Sequence, residues 1–146
     1  MGDSFRFLLR VRYNECDAQG IVFNARWVDY VDVAVTEYMR VLFGSADPAV
    51  TGVDWRLVKQ TLEWRAPARF DDVLDIRIAT RRIGTTSFTL ATEFRRFGDP
   101  LILATAETIY VTIDRTARKQ AVSDEHRAAL ERGAPGLVVD HAGARP

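Results

Sequence analysis

Phe5, Phe7, Leu9 and Val11 alternate with Arg6, Arg10 and Arg12, and Leu8 is the one exception. A period of two belongs to a half-buried strand, so residues 5–12 are predicted as the first strand. After a turn-like stretch at residues 14–20 the period changes. Trp27, Val31, Ala34, Tyr38 and Val41 recur at helical spacing, while Arg26, Asp29, Glu37 and Arg40 fall on the other side. This predicts a helix over residues 24–43. A second apolar row, Val28, Val35, Met39 and Leu42, widens the buried arc beyond one stripe, as expected of a helix wrapped by a curved sheet. Asn24 is the expected N-cap and Gly44 the expected stop.

Past a turn region containing Asp47 and Pro48, the chain becomes strand-like. Residues 55–64 form one run of uneven alternation, and residues 66–72 a bend around Pro67. Leu74, Ile76 and Ile78 then alternate with Asp75 and Arg77 up to a turn at Gly84. Phe88, Leu90 and Phe94 alternate with Ser87, Thr89, Glu93 and Arg95, and Gly98, Asp99 and Pro100 turn the chain into a last long strand over residues 101–113. Strands joined by such short turns predict an antiparallel meander. Ser123, followed by Asp124 and Glu125, opens a short helix that Gly133 closes. Residues 1–133 therefore read as a single domain, and residues 134–146 as a flexible tail. The expected architecture is α+β: one apolar helix against the concave face of a five-stranded antiparallel sheet. Its edge strands need partners, which predicts a homo-oligomer.

Composition narrows the function. The chain has 146 residues, 47% hydrophobic and 27% charged, enough for one core that buries roughly 70% of the unfolded surface. Its 20 basic and 20 acidic residues cancel, so no global field draws it to nucleic acid or an anionic membrane. The single cysteine, Cys16, excludes an intramolecular disulfide and fits a reducing cytoplasm, and with two histidines it makes a poor zinc inventory, so no metal site is expected. No leader-like apolar stretch or spanning window is visible, so no membrane insertion is expected. His126 and His141 lie on a terminal helix and in the tail, and no Gly-rich phosphate loop or G-x-S-x-G elbow occurs.

What remains is the segment of residues 13–24, Tyr-Asn-Glu-Cys-Asp-Ala-Gln-Gly-Ile-Val-Phe-Asn. It leads from a strand into the head of the most buried helix, where free N–H groups favour negative charge. An acidic residue there sits beside a ready-made oxyanion site. The competing reading is plainer: Asp17 and Gly20 shape a turn and Asn24 caps a helix.

The run Tyr13-x-Glu15-Cys16-Asp17-x-x-Gly20-Ile21-Val22-Phe23, followed by Trp27 and the long helix, resembles the signature of hotdog-fold acyl-CoA thioesterases of the 4-hydroxybenzoyl-CoA thioesterase family. It is also similar to the Tol-Pal-associated thioesterases. The resemblance continues through residues 70–74 and 86–88 to about residue 113. It implies a hotdog fold, a homodimer or homotetramer with the active cleft at the subunit interface, and an acyl-CoA or acyl-carrier-protein thioester as substrate. No cofactor is implied, because coenzyme A is part of the substrate. Asp17 matches the family's catalytic carboxylate. With an ordinary pKa of about 3.9 an Asp is ionised at neutral pH and can attack the thioester carbonyl or activate a water. Sequence leaves both routes open. Backbone N–H groups around Phe23 and Asn24 are the expected oxyanion donors, and Gly20 the expected point of close backbone approach.

Two positions depart from the family pattern. Asn24 stands where many relatives carry His, and Thr86 where a basic residue often precedes the Ser of the fourth strand. Ser87 and Thr86, with Arg81 and Arg82 as replacement cations and Trp27 as a pocket wall, are the expected substrate-binding residues. Arg95 and Arg96 at the next turn and Arg65 or Arg69 at the bend are further candidate cations, and a solvated rim of charge is the plainer reading for any single one of these arginines, Arg81 and Arg82 included. Cys16 reads as packing, while Glu15 either orients the loop or faces solvent. Two other functions stay open: a non-catalytic acyl-thioester-binding protein, and an enoyl-thioester hydratase or dehydratase.

Overall fold

The computed structural model describes residues 3–144. Strand β1 (Phe5–Arg10) is followed by a single 3-10 turn (Tyr13–Glu15), helix α1 (Arg26–Phe43) and the one-turn helix α2 (Pro48–Thr51). Four strands come next, β2 (Trp55–Trp64), β3 (Val73–Ile83), β4 (Ser87–Arg96) and β5 (Ile102–Thr112), then helix α3 (Asp124–Arg132) and strand β6 (Val138–Asp140). They form one open sheet in the order β2-β5-β4-β3-β1-β6. All pairings are antiparallel except β1 with β6. The expected α+β architecture of a long helix against an antiparallel sheet is present, with six strands in place of five.

Period two decides which residues meet α1. Phe7 lies opposite Ile76, Ile76 opposite Phe94, and Phe94 opposite Ala104. These four make one buried row across the sheet. The neighbouring row, Arg6, Arg77, Glu93, Thr105 and Glu63, faces the other way and carries the charge. Helix α1 buries Trp27, Tyr30, Val31, Ala34, Val35, Tyr38, Met39 and Leu42 against the apolar rows. Trp27 meets Phe94 edge-on at 5.1 Å and Tyr30 at 6.0 Å, and Tyr38 lies 5.4 Å from Phe5. Val28, expected in the buried arc, is exposed, because the sheet covers only one side of the helix.

Two termini differ from expectation. Helix α1 starts at Arg26, with Ala25 rather than Asn24 at the N-cap and no capping side chain; Arg26 N–H instead donates to the Phe23 carbonyl, 2.9 Å. Its other end is as expected, with Gly44 at φ +80° and its N–H on the Arg40 carbonyl. The segment expected to be a flexible tail carries β6. Arg6 N–H donates to the Leu137 carbonyl and His141 N–H to the Leu8 carbonyl, so the outer edge of β1 is paired. The His141 ring lies 4.8 Å from Phe7, edge-on. Two adjacent valines, 138 and 139, favour this extended edge pairing.

Trp27 is the largest side chain held within the core at 2% exposure. Trp27→Ala is therefore expected to destabilise the chain by about 3–5 kcal/mol, measured by urea unfolding; a loss below 1 kcal/mol would show that this ring is not a core element.

Candidate active site

The loop from β1 to α1 is knitted to the bend before β3. Val11 exchanges backbone hydrogen bonds with residues 71 and 72, Val22 N–H donates to the Ala68 carbonyl, and Phe70 N–H to the Gly20 carbonyl. Cys16 bridges Val22, and Ile21 bridges Arg69, so residues 16–22 form a tight hairpin-like turn. Asp17 N–H donates to the Ile21 carbonyl at 2.9 Å, and Gly20 N–H to the Asp17 carbonyl at 3.0 Å. Gly20 sits at φ +75° with open space where a Cβ would stand. The turn needs glycine for its backbone angle, not for room.

Asp17 is half-buried. Its Oδ1 accepts the Gln19 N–H at 2.8 Å, an Asx turn that fixes the carboxylate. Its Oδ2 has no partner among the described residues. The side chain borders an open depression of about 560 Å³ with Tyr13, Asn14, Cys16, Ala18, Gly20 and Phe70. Tyr13 and Phe70 meet edge-on at 6.1 Å across it and are both largely exposed.

The two expected oxyanion donors separate. Phe23 N–H is committed to the Glu15 carbonyl at 2.9 Å. The N–H groups of Asn24 and Ala25 make no hydrogen bond among the described residues. These are the free donors at the head of α1.

Glu15, whose role the sequence left open, is 4% exposed. Its Oε1 accepts from the Arg12 N–H at 2.8 Å and from the Tyr30 hydroxyl at 2.9 Å; its Oε2 accepts Arg12 Nε at 2.9 Å and Nη2. Burial pushes the Glu15 carboxyl up, but the Arg12 side chain, the Arg12 N–H and the Tyr30 hydroxyl together outweigh it and hold it below the ordinary glutamate value. Nothing in the spacing of 15 and 30 announces this pair. The only sequence signal was a tyrosine on the buried face of a helix, whose hydroxyl needs a partner. The Cys16 thiol is pushed up by burial and by the carboxylates of Glu15, Asp17 and Asp72, so it carries no thiolate character, as its reading as packing requires.

The expected substrate-binding residues do not join Asp17 within one chain. Arg81 and Arg82 end β3 beside a bulge, and Thr86 and Ser87 open β4. Asp17 lies by the opposite end of β3, which spans 11 residues, or about 30 Å at the rise of a strand. The Thr86 carbonyl accepts the Thr112 N–H and hydroxyl. Trp27 is in the core and lines no part of the depression, a correction to its expected role; its helical position points it at Phe94. Of the cations near Asp17, Arg96 is held by Asp72 and the Pro67 carbonyl, and Arg12 by Glu15. The Arg69 guanidinium has no partner among the described residues.

Comparison with known proteins bears directly on this loop and helix. The profile of the Thioesterase-like superfamily matches residues 11–130. This chain belongs to that superfamily. It is 32% identical over 111 residues to the acyl-CoA thioester hydrolase YbgC of Escherichia coli O6:H1, covering 75% of this chain and 82% of that protein. The acyl-CoA thioesterase YbgC of Haemophilus influenzae is 27% identical over 116 residues, 78% of this chain and 84% of the relative. Among solved structures, a thioesterase superfamily protein from Jannaschia sp. CCS1 superposes with a TM-score of 0.82 at 18% identity, covering 90% of this chain and 94% of that one. The match at this identity speaks for the fold.

Because the Glu15 carboxyl ionises below the ordinary value in the folded chain, its contribution to stability is complete above the unfolded value of about 4.3 and is lost as pH falls from there through the folded value. Urea unfolding of wild type and Glu15→Gln between pH 6 and pH 3 (roughly the span of that loss) should show wild type losing stability more steeply on the acid side. Parallel curves would show that Glu15 is not stabilised as a carboxylate.

Proposed function

We propose that this chain hydrolyses acyl-CoA thioesters to a free acid and coenzyme A, with the Asp17 carboxylate as nucleophile or general base. The observation that carries this reading is the state of the loop: a fixed carboxylate with one unpaired oxygen borders an open depression, in the segment that leads to unbonded N–H groups at the head of a buried helix. As nucleophile, Asp17 adds to the thioester carbonyl, the thiolate of coenzyme A leaves, and water cleaves the resulting anhydride. As base, Asp17 takes a proton from a water that adds to the same carbonyl; the tetrahedral intermediate then expels the thiolate of coenzyme A, and the proton passes from Asp17 to the departing sulfur. Either route places negative charge on the former carbonyl oxygen. The Asn24 N–H, with Ala25 beside it, is the donor assigned to that oxygen, an interaction typically worth about 10²- to 10³-fold in rate. The relatives named as acyl-CoA thioester hydrolases support the reaction class, and the reading needs no cofactor.

The site is assigned to the interface of a homodimer or homotetramer. Thr86, Ser87, Arg81 and Arg82 reach Asp17 only from a second copy, given their separation along β3. The outer edge of β2 is unpaired among the described residues, with Leu57, Val58 and Trp64 exposed along that strand, and Val28 and Val33 exposed on α1. These are the surfaces a second copy would cover. The partner's basic hairpin would then meet the phosphates of coenzyme A. A carrier-protein thioester offers the same acyl chemistry and is the alternative substrate. A reducing, cytoplasmic setting accords with the single, half-buried Cys16.

The hydratase reading has less support. His126 packs on Phe43 and His141 on Phe7, and neither borders the depression of Asp17. The binding-only reading makes a different forecast for the same experiment. Steady-state hydrolysis of short, medium, long and aryl acyl-CoAs, followed by free thiol, should show turnover on at least one class. Asp17→Asn should lower it by at least about 100-fold while the melting temperature stays within a few degrees. Binding without turnover across the panel would favour the non-catalytic reading, and turnover indifferent to Asp17 would place the chemistry elsewhere.

A further inference from the structure

Glu15 touches both halves of the proposed chemistry without facing the depression. Two residues before Asp17, it sits at the end of the 3-10 turn that sets the course of the loop. Its main-chain carbonyl holds the Phe23 N–H, one residue before the free donor of Asn24. Its main-chain N–H returns to the Arg12 carbonyl at 3.0 Å, and Arg12 N–H donates back to its carboxylate at 2.8 Å. Its side chain reaches α1 at Tyr30, whose ring is 1% exposed and whose hydroxyl has Glu15 as its partner. Tyr30 is rigid in turn, because Trp27 packs on it and Phe94 packs on Trp27.

We propose that Glu15 is a positioning residue of the hydrolase: through Arg12, two residues past β1, and Tyr30 on α1, it fixes the distance between the Asp17 carboxylate and the Asn24 N–H. The inference rests on the assignment of Asp17 and Asn24 made above. Asp17 rides on the loop and Asn24 on the entry to the helix. Among the described residues, the hydrogen bond from Tyr30 to Glu15 is the buried side-chain tie from the loop to the helix, whereas Arg26 Nη2 reaches the Asn14 carbonyl at 3.5 Å only at the surface. A main-chain support, Phe23 N–H to the Glu15 carbonyl, passes through the same residue. A buried carboxylate that accepts four hydrogen bonds has little freedom to shift. Reaction geometry is sensitive to such shifts, since a displacement of about 1 Å at a site can lower turnover by about 100-fold.

Tyr30→Phe removes one hydroxyl and leaves both the ring and the Arg12–Glu15 ion pair, so it tests position with the least damage to the fold. We expect kcat to fall by about 10-fold or more, KM to stay within about twofold, and the factor to be the same for every acyl-CoA that is turned over, because Glu15 contacts no part of the acyl group. Glu15→Gln should fall at least as far. The double variant should fall no further than Glu15→Gln, since both act through one carboxylate. Assays are run well below each melting temperature, so a purely structural role leaves kcat of the folded protein at the wild-type value. That result for Tyr30→Phe, with Asp17→Asn inactive, overturns the positioning role and leaves Asp17 standing. Wild-type turnover in Asp17→Asn overturns the assignment of Asp17, and the positioning role with it. If Glu15→Gln does not fold, Tyr30→Phe alone decides.

Discussion

The burial of one face of α1 in the concave side of the sheet is the constraint on which the rest of this molecule depends. Each apolar side chain taken wholly from water contributes about 1.5–3 kcal/mol, and α1 buries eight residues. Trp27, packed edge-on against Phe94 of β4, fixes the first turn of the helix. A helix held this way has a head that points in one direction. The free N–H groups of Asn24 and Ala25 inherit that direction, and so does anything that is tied to Tyr30.

A loop laid across that head still has to be held, and here the apolar core gives way to a polar device. Residues 13–24 contain few positions that can be buried among hydrocarbon. Their order comes from main-chain bonds to the bend at residues 68–72 and from the Glu15 carboxylate. A buried carboxylate left without donors would be strongly unfavourable. With Arg12 and Tyr30 in place it becomes a fixed point, and the Asx turn of Asp17 adds a second one two residues on. The loop thus places the Asp17 carboxylate beside the open depression, with one of its oxygens held by the Gln19 N–H.

The sheet also sets which of the candidate residues a single chain keeps apart. A strand of 11 residues keeps its ends about 30 Å apart, which separates the Thr86 and Ser87 hairpin from Asp17. Strand β6 pairs the outer edge of β1, whereas the outer edge of β2 is left without a strand. An exposed edge of ten residues bearing Leu57 and Val58 is where association is favoured.

The sequence by itself determined the element types, because periods of 2 and 3.6 are local properties: β1, α1, the β3-β4-β5 meander and the stop at Gly44 were all legible, and the motif from Tyr13 to Phe23 marked the loop of the candidate site. Where a period was uneven or a signal short, sequence reached less far. Two valines in the tail were too few to announce β6, and Asn24 gave a better cap on paper than Ala25 does in the fold. Only the tertiary structure decided the side chains' partners. It took Trp27 from the expected pocket into the core, committed the Phe23 N–H and left that of Asn24 free, buried Glu15 against Tyr30, and set Asp17 and Ser87 at opposite ends of the sheet. The reason is physical: periodicity tells which face of an element is apolar, but a hydrogen bond between residues 15 and 30, or a distance along a sheet, exists only once the elements have packed.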